Sequence, residues 1–316
     1  MEAAEFDPDA WDAAVERTSG IDRWCSGSAW VRGLASWWPA EQRLVLRGGH
    51  GWASFIRFAG EDGRVRFIGP DPVWGFASAV VGDVPAVADE LAAWLQRDDS
   101  WDLTVLPGVA EGSGLWDALA GALSPIGRLF SGEVCVRRVI DLDGGAEAWL
   151  ARRSRKFRVS LRHAVSACER AGVHVETADQ IDVEAFLERI LAIEQQSFKG
   201  DNGVRSPHMT ELYRSLLCDL VPKGAARVSF AVRDGRDIGY IFGGARGPTY
   251  RGLQFSYVEE VRDLGVGNVL QWHEIRRAAA LGLTRYDLGM DIEYKRRWAD
   301  RNDETGSIVV VRPRVP

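Results

Sequence analysis

Arg262, Gly265 and Gly267 stand in the order R-D-L-G-V-G, directly after a strand-like run, FSYVEE, and directly before a helix-like run that starts at Asn268. Glycine costs helix stability, so two of them at a helix entrance need a reason. They could simply turn the chain. They could also bind an anion. Without side chains in the way, the N–H groups of Gly265, Val266, Gly267 and Asn268 approach a phosphate, and the positive end of the helix dipole favours its charge. Arg262 would add a charge-assisted hydrogen bond.

The words around this loop carry a resemblance. The stretch FSYVEEVRDLGVGNVLQWHEIRRAAALGLTRYDLGMDIEYKRRW is similar to the C-terminal motif of cellulose-biosynthesis (CelD-like) acyltransferases. These are relatives of the Fem-type tandem acyltransferases in the GCN5-related N-acetyltransferase superfamily. A tyrosine-bearing strand, with Tyr257 here, leads to a glycine loop, a helix, a YDLG strand and then YK. RRSRKFRVSLRHAVSACERAGV resembles the family's arginine-bearing helix, and EQQSFKG its E-x-x-S-W-K segment, with Phe198 in place of the usual tryptophan. The first half matches only loosely, through RFIGPDPVWGFASAVVG. The resemblance implies two fold-related α+β domains, each a mixed, mostly antiparallel sheet flanked by helices. It also implies an acyl group moved to an amine, with acetyl-CoA or another acyl-CoA as co-substrate and no metal. The loop residues Arg262, Gly265, Val266, Gly267 and Asn268 would then hold the coenzyme pyrophosphate.

Acyl transfer from a thioester needs a neutral amine, a base to take its proton, and an acid for the leaving thiolate. Tyr294 is a candidate acid, with simple packing as the equal alternative. Asp287, inside YDLG, is either the base or a carboxylate that holds a loop through backbone hydrogen bonds. Glu194 falls at a helix end, where the dipole disfavours it. It either binds the incoming amine or is a solvated surface residue. Tyr257 joins these candidates through the resemblance alone. Lysine occurs only at Lys156, Lys199, Lys223 and Lys295. Lys199 and Lys295 lie in family-like words and could neutralise a phosphate or a substrate carboxylate. Arg155, Arg158 and Arg162 share one helix face. Phe157, Val159, Leu161 and Val165 make no clean opposite face, so the stripe is either solvated or has Arg158 or Arg162 facing an anion.

These residues need elements to position them. The first half reads as a helix around Trp30, Leu34 and Trp37, three strands, the helix VPAVADELAAWLQR, a strand, the helix LWDALAGAL and the strand EVCVRRVIDL. The turn-rich DLDGGAEAW suggests a boundary, giving a degenerate acyltransferase-like domain over 1–143 and an acyl-CoA-binding domain over 144–316. The second half starts with one long helix from AEAW to GV. It continues as strand, two helices, three strands joined by the hairpin turns DGRD and RGP, the loop and its helix, the strand TRYDLGM and a last strand, GSIVVVR. The two halves repeat a rough order.

Composition narrows the function classes. The chain has 316 residues, 46% hydrophobic, enough for a packed core in two domains. A net charge of −6 disfavours a broad nucleic-acid surface. Its positive charge is nearly all arginine, consistent with a high-GC bacterial source. No apolar run nears the ~18 residues that span a bilayer, and the acidic N-terminus has no signal core, so a cytoplasmic location is expected. Cys25, Cys135, Cys168 and Cys218 are scattered and form no metal or disulfide pattern. Of the 13 tryptophans, most serve the core, while Trp74 is a candidate for a substrate cleft. The leading expectation is an N-acyltransferase acting on the amine of a small molecule. The rivals are an aminoacyl-tRNA-dependent Fem-type transferase and a catalytically inactive acyl-CoA-binding protein.

Overall fold

The computed structural model describes residues 1–178, 180–197, 199 and 203–313. The chain forms two compact units, Met1–Val136 with Glu304–Pro316, and Arg137–Asp303. The second unit starts a few residues before the expected boundary. The last strand, expected in the second domain, belongs largely to the first.

In the first unit, β1 (Glu2–Ala3), β2 (Arg43–Arg47), β3 (Gly51–Ala59), β4 (Val65–Ile68) and β6 (Leu103–Val109) follow one another across the sheet, and β14 (Arg301–Val311) lies beyond β6. β5 (Val80–Gly82) adds to β3, and β7 (Arg128–Ser131) to β14. Every pair is antiparallel except β4 with β6. Helices α3 (Ala86–Arg97) and α4 (Gly114–Leu123) cover the sheet with Leu91, Leu95, Leu115 and Leu119. α1 (Pro8–Arg17) and α2 (Ser28–Ala35) complete the unit. The sequence pattern missed α1, although Asp7 caps it by accepting from the N–H groups of Asp9 and Ala10, and Pro8 opens it.

The second unit contains β8 (Cys135–Asp141, shared across the boundary), α5 (Gly145–Ala151), α6 (Arg155–Arg170), β9 (His174–Thr177), α7 (Val183–Glu194), α8 (Pro207–Leu220), β10 (Ala226–Arg233), β11 (Arg236–Arg246) and β12 (Thr249–Tyr257). A 3-10 turn (Glu259–Leu264), α9 (Val266–Ala280), β13 (Arg285–Met290) and the short α10 (Glu293–Arg296) follow. The sheet order is β8-β13-β12-β11-β10-β9, and again one pair, β12 with β13, is parallel. Asp234 and Gly235, at φ 53° and 73°, make the tight turn between β10 and β11.

The expected long helix over 146–172 is two helices. Ser154 breaks it by capping α6, accepting from the Phe157 N–H at 3.2 Å. The break lets Phe157 meet Trp149 of α5 and Trp298 edge to face, while Trp149 and Trp298 stack at 5.8 Å. With Tyr250, Ile275 and Tyr286 these aromatics form a core of the unit.

Candidate active site

β12 and β13 pair only over Thr249–Arg251 and Arg285–Asp287. Past that point β12 runs on to Tyr257, while β13 leans to β8, where Met290 sits opposite Arg137. The two parallel strands therefore separate, and the edge of β12 that faces β13 is left without a strand partner. The candidate residues gather around this opening.

Asp287 lies where the strands part and is 2% exposed. Its Oδ2 is 2.9 Å from Arg137 of β8, 3.0 Å from Arg251 of β12 and 3.4 Å from Arg285 of its own strand. Its Oδ1 accepts from the Gly289 N–H at 2.8 Å. Burial alone would raise the carboxyl, but Arg251, Arg137 and Arg285 outweigh it and hold the group well below the usual carboxylate range. A carboxylate so heavily engaged is a poor proton acceptor. The geometry favours the holding role over the base.

Glu194 ends α7 and is completely buried rather than solvated. Oε1 accepts from the Tyr240 hydroxyl, and Oε2 from the Ser197 hydroxyl at 2.9 Å. Lys199 Nζ lies 3.8 Å from Oε1 and donates to Gln254 Oε1 at 3.0 Å and to the Phe255 carbonyl at 2.5 Å. Burial pushes the Lys199 ammonium down, with Glu194 opposing. The same burial, reinforced by Glu194, pushes the Tyr240 and Tyr213 hydroxyls up. Glu194 thus presents no free oxygen to an amine, and Lys199 closes the open edge of β12 rather than reaching outward. Phe198, between them in sequence, lies outside the described residues.

Tyr294 and Lys295 come from α10. Tyr294 is 37% exposed, its ring 5.8 Å from that of Phe255. Burial of its inner side raises its hydroxyl above the ordinary tyrosine value, so it keeps its proton at neutral pH. Lys295 is part-buried, with its Nζ 5.9 Å from the Tyr294 ring.

The glycine loop follows β12. Gly265, at φ 72°, caps α9, whose N-terminus receives no side-chain hydrogen bond. The Gly265 N–H donates to the Arg262 carbonyl at 3.2 Å and that of Asn268 to the Gly265 carbonyl at 2.9 Å. Of the four N–H groups expected to face a phosphate, Val266 and Gly267 therefore remain as first-turn donors. A Cβ at Gly265 would lie 2.9 Å from the Ala164 Cβ, and one at Gly267 would lie 3.0 Å from the rings of Phe255 and Tyr257. Both glycines thus also allow close packing, Gly265 against α6 and Gly267 against β12. The Tyr257 ring lies under this first turn. Arg262 is 59% exposed at its side chain and 2.9 Å from Glu259, and Arg297 donates to Asn268 Oδ1 at 2.8 Å.

The arginine stripe behaves differently. α6 buries Leu161, Ala164 and Cys168, a face that reading Val159 and Val165 as core obscured. Arg155 and Arg162 are exposed. Arg158, the more enclosed one, donates to the carbonyls of Ala151 at 3.0 Å and Arg153 at 2.5 Å, closing the end of α5 rather than meeting an anion. Trp74 packs on Trp30 and Trp37 at 5.4 and 6.0 Å. Its turn is held by the buried Asp71, which accepts from the N–H groups of Trp74 and Phe76.

Sequence reasoning missed Arg137, Arg251, Tyr240 and Gln254. For the arginines a signal existed: each sits among apolar residues of a strand, CVRRVID and TYRGLQF, and a charge in a buried strand needs a partner.

Residues 155–296 match the family model described as acetyltransferase (GNAT) domain. The second unit thus carries a stretch that matches an acetyltransferase (GNAT) domain. A comparison with curated proteins gives no match. Among solved structures, FemX is 14% identical with a TM-score of 0.66, covering 98% of this chain and 97% of its own. A conserved protein of unknown function from Bacteroides thetaiotaomicron VPI-5482 is 12% identical with a TM-score of 0.65, covering 98% and 99%. L-PGS from Bacillus licheniformis is 14% identical with a TM-score of 0.60, covering 99% and 94%. At these identities the likeness is one of fold, and it spans both units. Among the described residues no helix is long and apolar enough to cross a membrane.

Proposed function

We propose that this acyltransferase takes its acyl group from acyl-CoA, with acetyl-CoA the first donor to test, and passes it to the amine of a small molecule in the cytoplasm. The observation that carries the reading is the course of β12. Its unpaired edge ends at a glycine-capped helix whose Val266 and Gly267 N–H groups are left as donors. A pyrophosphate would sit on those donors with Arg262 beside it, and the thioester would lie along the opening. The amine nitrogen attacks the thioester carbon, the carbon–sulfur bond breaks, and Tyr294 gives its proton to the departing thiolate. With Asp287 and Glu194 both engaged, the amine loses its proton to water. The first unit is a degenerate copy: its crossover helix α3 follows Pro85 and has no R-x-x-G-x-G ahead of it.

A second reading is an aminoacyl-tRNA-dependent transferase of the Fem type. It is supported by the FemX-like fold over nearly the whole chain. One experiment separates the two. The protein is incubated with acetyl-CoA and a mixture of small amines, and free thiol is followed, with a parallel reaction supplied with charged tRNA. Amine-dependent thiol release supports the acyl-CoA reading. Transfer that occurs only with charged tRNA supports the second. Neither would leave an inactive binding protein.

A further inference from the structure

Most cations around the strand opening have a counter-ion. Arg137, Arg251 and Arg285 share Asp287; Arg138 and Arg296 hold Asp291; Arg301 holds Asp303; and Lys199 has Glu194, Gln254 and the Phe255 carbonyl. Lys295 differs. Among the described residues no carboxylate pairs with its ammonium and no oxygen accepts a hydrogen bond from it, although the residue is only partly exposed.

Its neighbours make this costly. A Cβ built on Gly289 would lie 3.5 Å from Lys295 Nζ and 3.8 Å from Arg251 Nη2, and nothing else comes closer. The space above Gly289 is therefore bounded by two cations, with Lys199 contributing a third charge to the same field. Burial and Arg251, opposed by Asp287 and Asp291, push the Lys295 ammonium down to about 8. Like charges held together in a partly desolvated place call for an anion between them.

We propose that Lys295 and Arg251 seat an anionic group carried by the acceptor, so that the amines acylated here bear a carboxylate or a phosphate close to the reacting nitrogen. The inference rests on the acyl-CoA reading, and strand geometry separates it from the coenzyme's own phosphates. Gly267, in the coenzyme loop, packs on Tyr257. Arg251 is six residues earlier on the same strand, about 20 Å away at ~3.3 Å per residue. A donor whose pyrophosphate sits at the loop places its thioester, not its phosphates, near Arg251.

The test uses three small amines that differ in one group: ethanolamine, glycine and phosphoethanolamine. With acetyl-CoA, the wild type is expected to use glycine or phosphoethanolamine at least about tenfold better than ethanolamine in kcat/KM, and the better of the two identifies the anion. Lys295→Met should raise KM for that acceptor about tenfold or more and leave KM for acetyl-CoA unchanged. Lys295→Arg should recover part of the loss. Equal use of all three amines by wild type would overturn the proposal. So would a Lys295→Met variant that loses kcat alike for all three, or one whose KM for acetyl-CoA rises. If no acyl-CoA supports turnover, the acyl-CoA reading has failed, and the anion seat is judged by calorimetry alone. Glycine or inorganic phosphate binding wild type more tightly than Lys295→Met would support it, and equal or absent binding would overturn it.

Discussion

Lys199 donates to the main-chain oxygen of Phe255 at 2.5 Å, on the edge of β12 that lost its neighbour when β13 turned away. The Phe255 N–H donates to Gln254 Oε1 at 3.2 Å, and Lys199 donates to that same oxygen. An unpaired strand edge in a partly buried place leaves polar groups that need partners. Here one lysine and one glutamine supply them.

Lys199→Met should therefore destabilise the free protein. It strips the Phe255 carbonyl and also removes the cation 3.8 Å from the buried Glu194. A loss of about 1–3 kcal/mol in denaturant unfolding is expected. A variant as stable as wild type would show that the edge is satisfied in some other way.

Asp287→Asn should be more damaging, because three guanidinium groups lose their shared charge. Breaking a buried ion pair typically costs about 3–5 kcal/mol. The pH dependence follows from the sign of the shift. The folded carboxyl is held below its unfolded value, so its stabilisation is complete above about pH 4 and drains away as pH falls further. Wild type should lose stability steeply in acid, and Asp287→Asn should show a flatter profile from a lower starting point. Parallel pH profiles would count against this account.

Tyr294→Phe offers a clean kinetic test because the residue is 37% exposed and its hydroxyl has no partner among the described residues. The melting temperature should barely move. If Tyr294 protonates the thiolate, kcat should fall about 100-fold or more with little change in KM. A kcat within a factor of about two of wild type would rule out the role.

The loop glycines need a different design from the one their spacing suggests. A side chain at Gly267 would press on Phe255 and Tyr257, so Gly267→Val should lower the melting temperature of the free protein whatever it does to coenzyme. Gly265→Ala adds strain at φ 72° and a 2.9 Å contact with Ala164, costing about 1 kcal/mol or more. Arg262→Ala leaves the fold alone. Acetyl-CoA should raise the melting temperature of wild type, and this variant should keep part of the rise, because the Val266 and Gly267 N–H groups remain. Full retention would show that Arg262 does not reach the phosphates.

The sequence showed the elements better than the contacts between them. Hydrophobic period located α3, α4, α7 and the β10–β11 hairpin, because each has a uniform apolar face or a distinctive turn. The break at Ser154 was hidden by uninterrupted helix formers on both sides. The loop at Arg262–Gly267 was legible because a glycine pair before a helix is a local signal. The cluster of Asp287 with Arg137 and Arg251 was not, since its members are 150 and 36 residues apart. For Glu194, the unfavourable helix-end position singled the residue out, but the partners that bury it lie on β11 and beyond the helix end.

The placement of β14 has a consequence for how the protein is made. This strand lies between β6 and β7, yet in the chain it follows almost the whole second unit. Ile308 and Val310, which complete the apolar layer with Leu91, Leu115 and Leu119, reach the first unit only after the second unit has been made. A ribosome that has finished residues 1–136 holds a sheet with a gap in it, and must emit the whole second unit before the gap can close. Domains usually fold in the order in which they emerge; here the unit begun first is completed after the second, and a stop just before Glu304 would damage the unit begun at Met1.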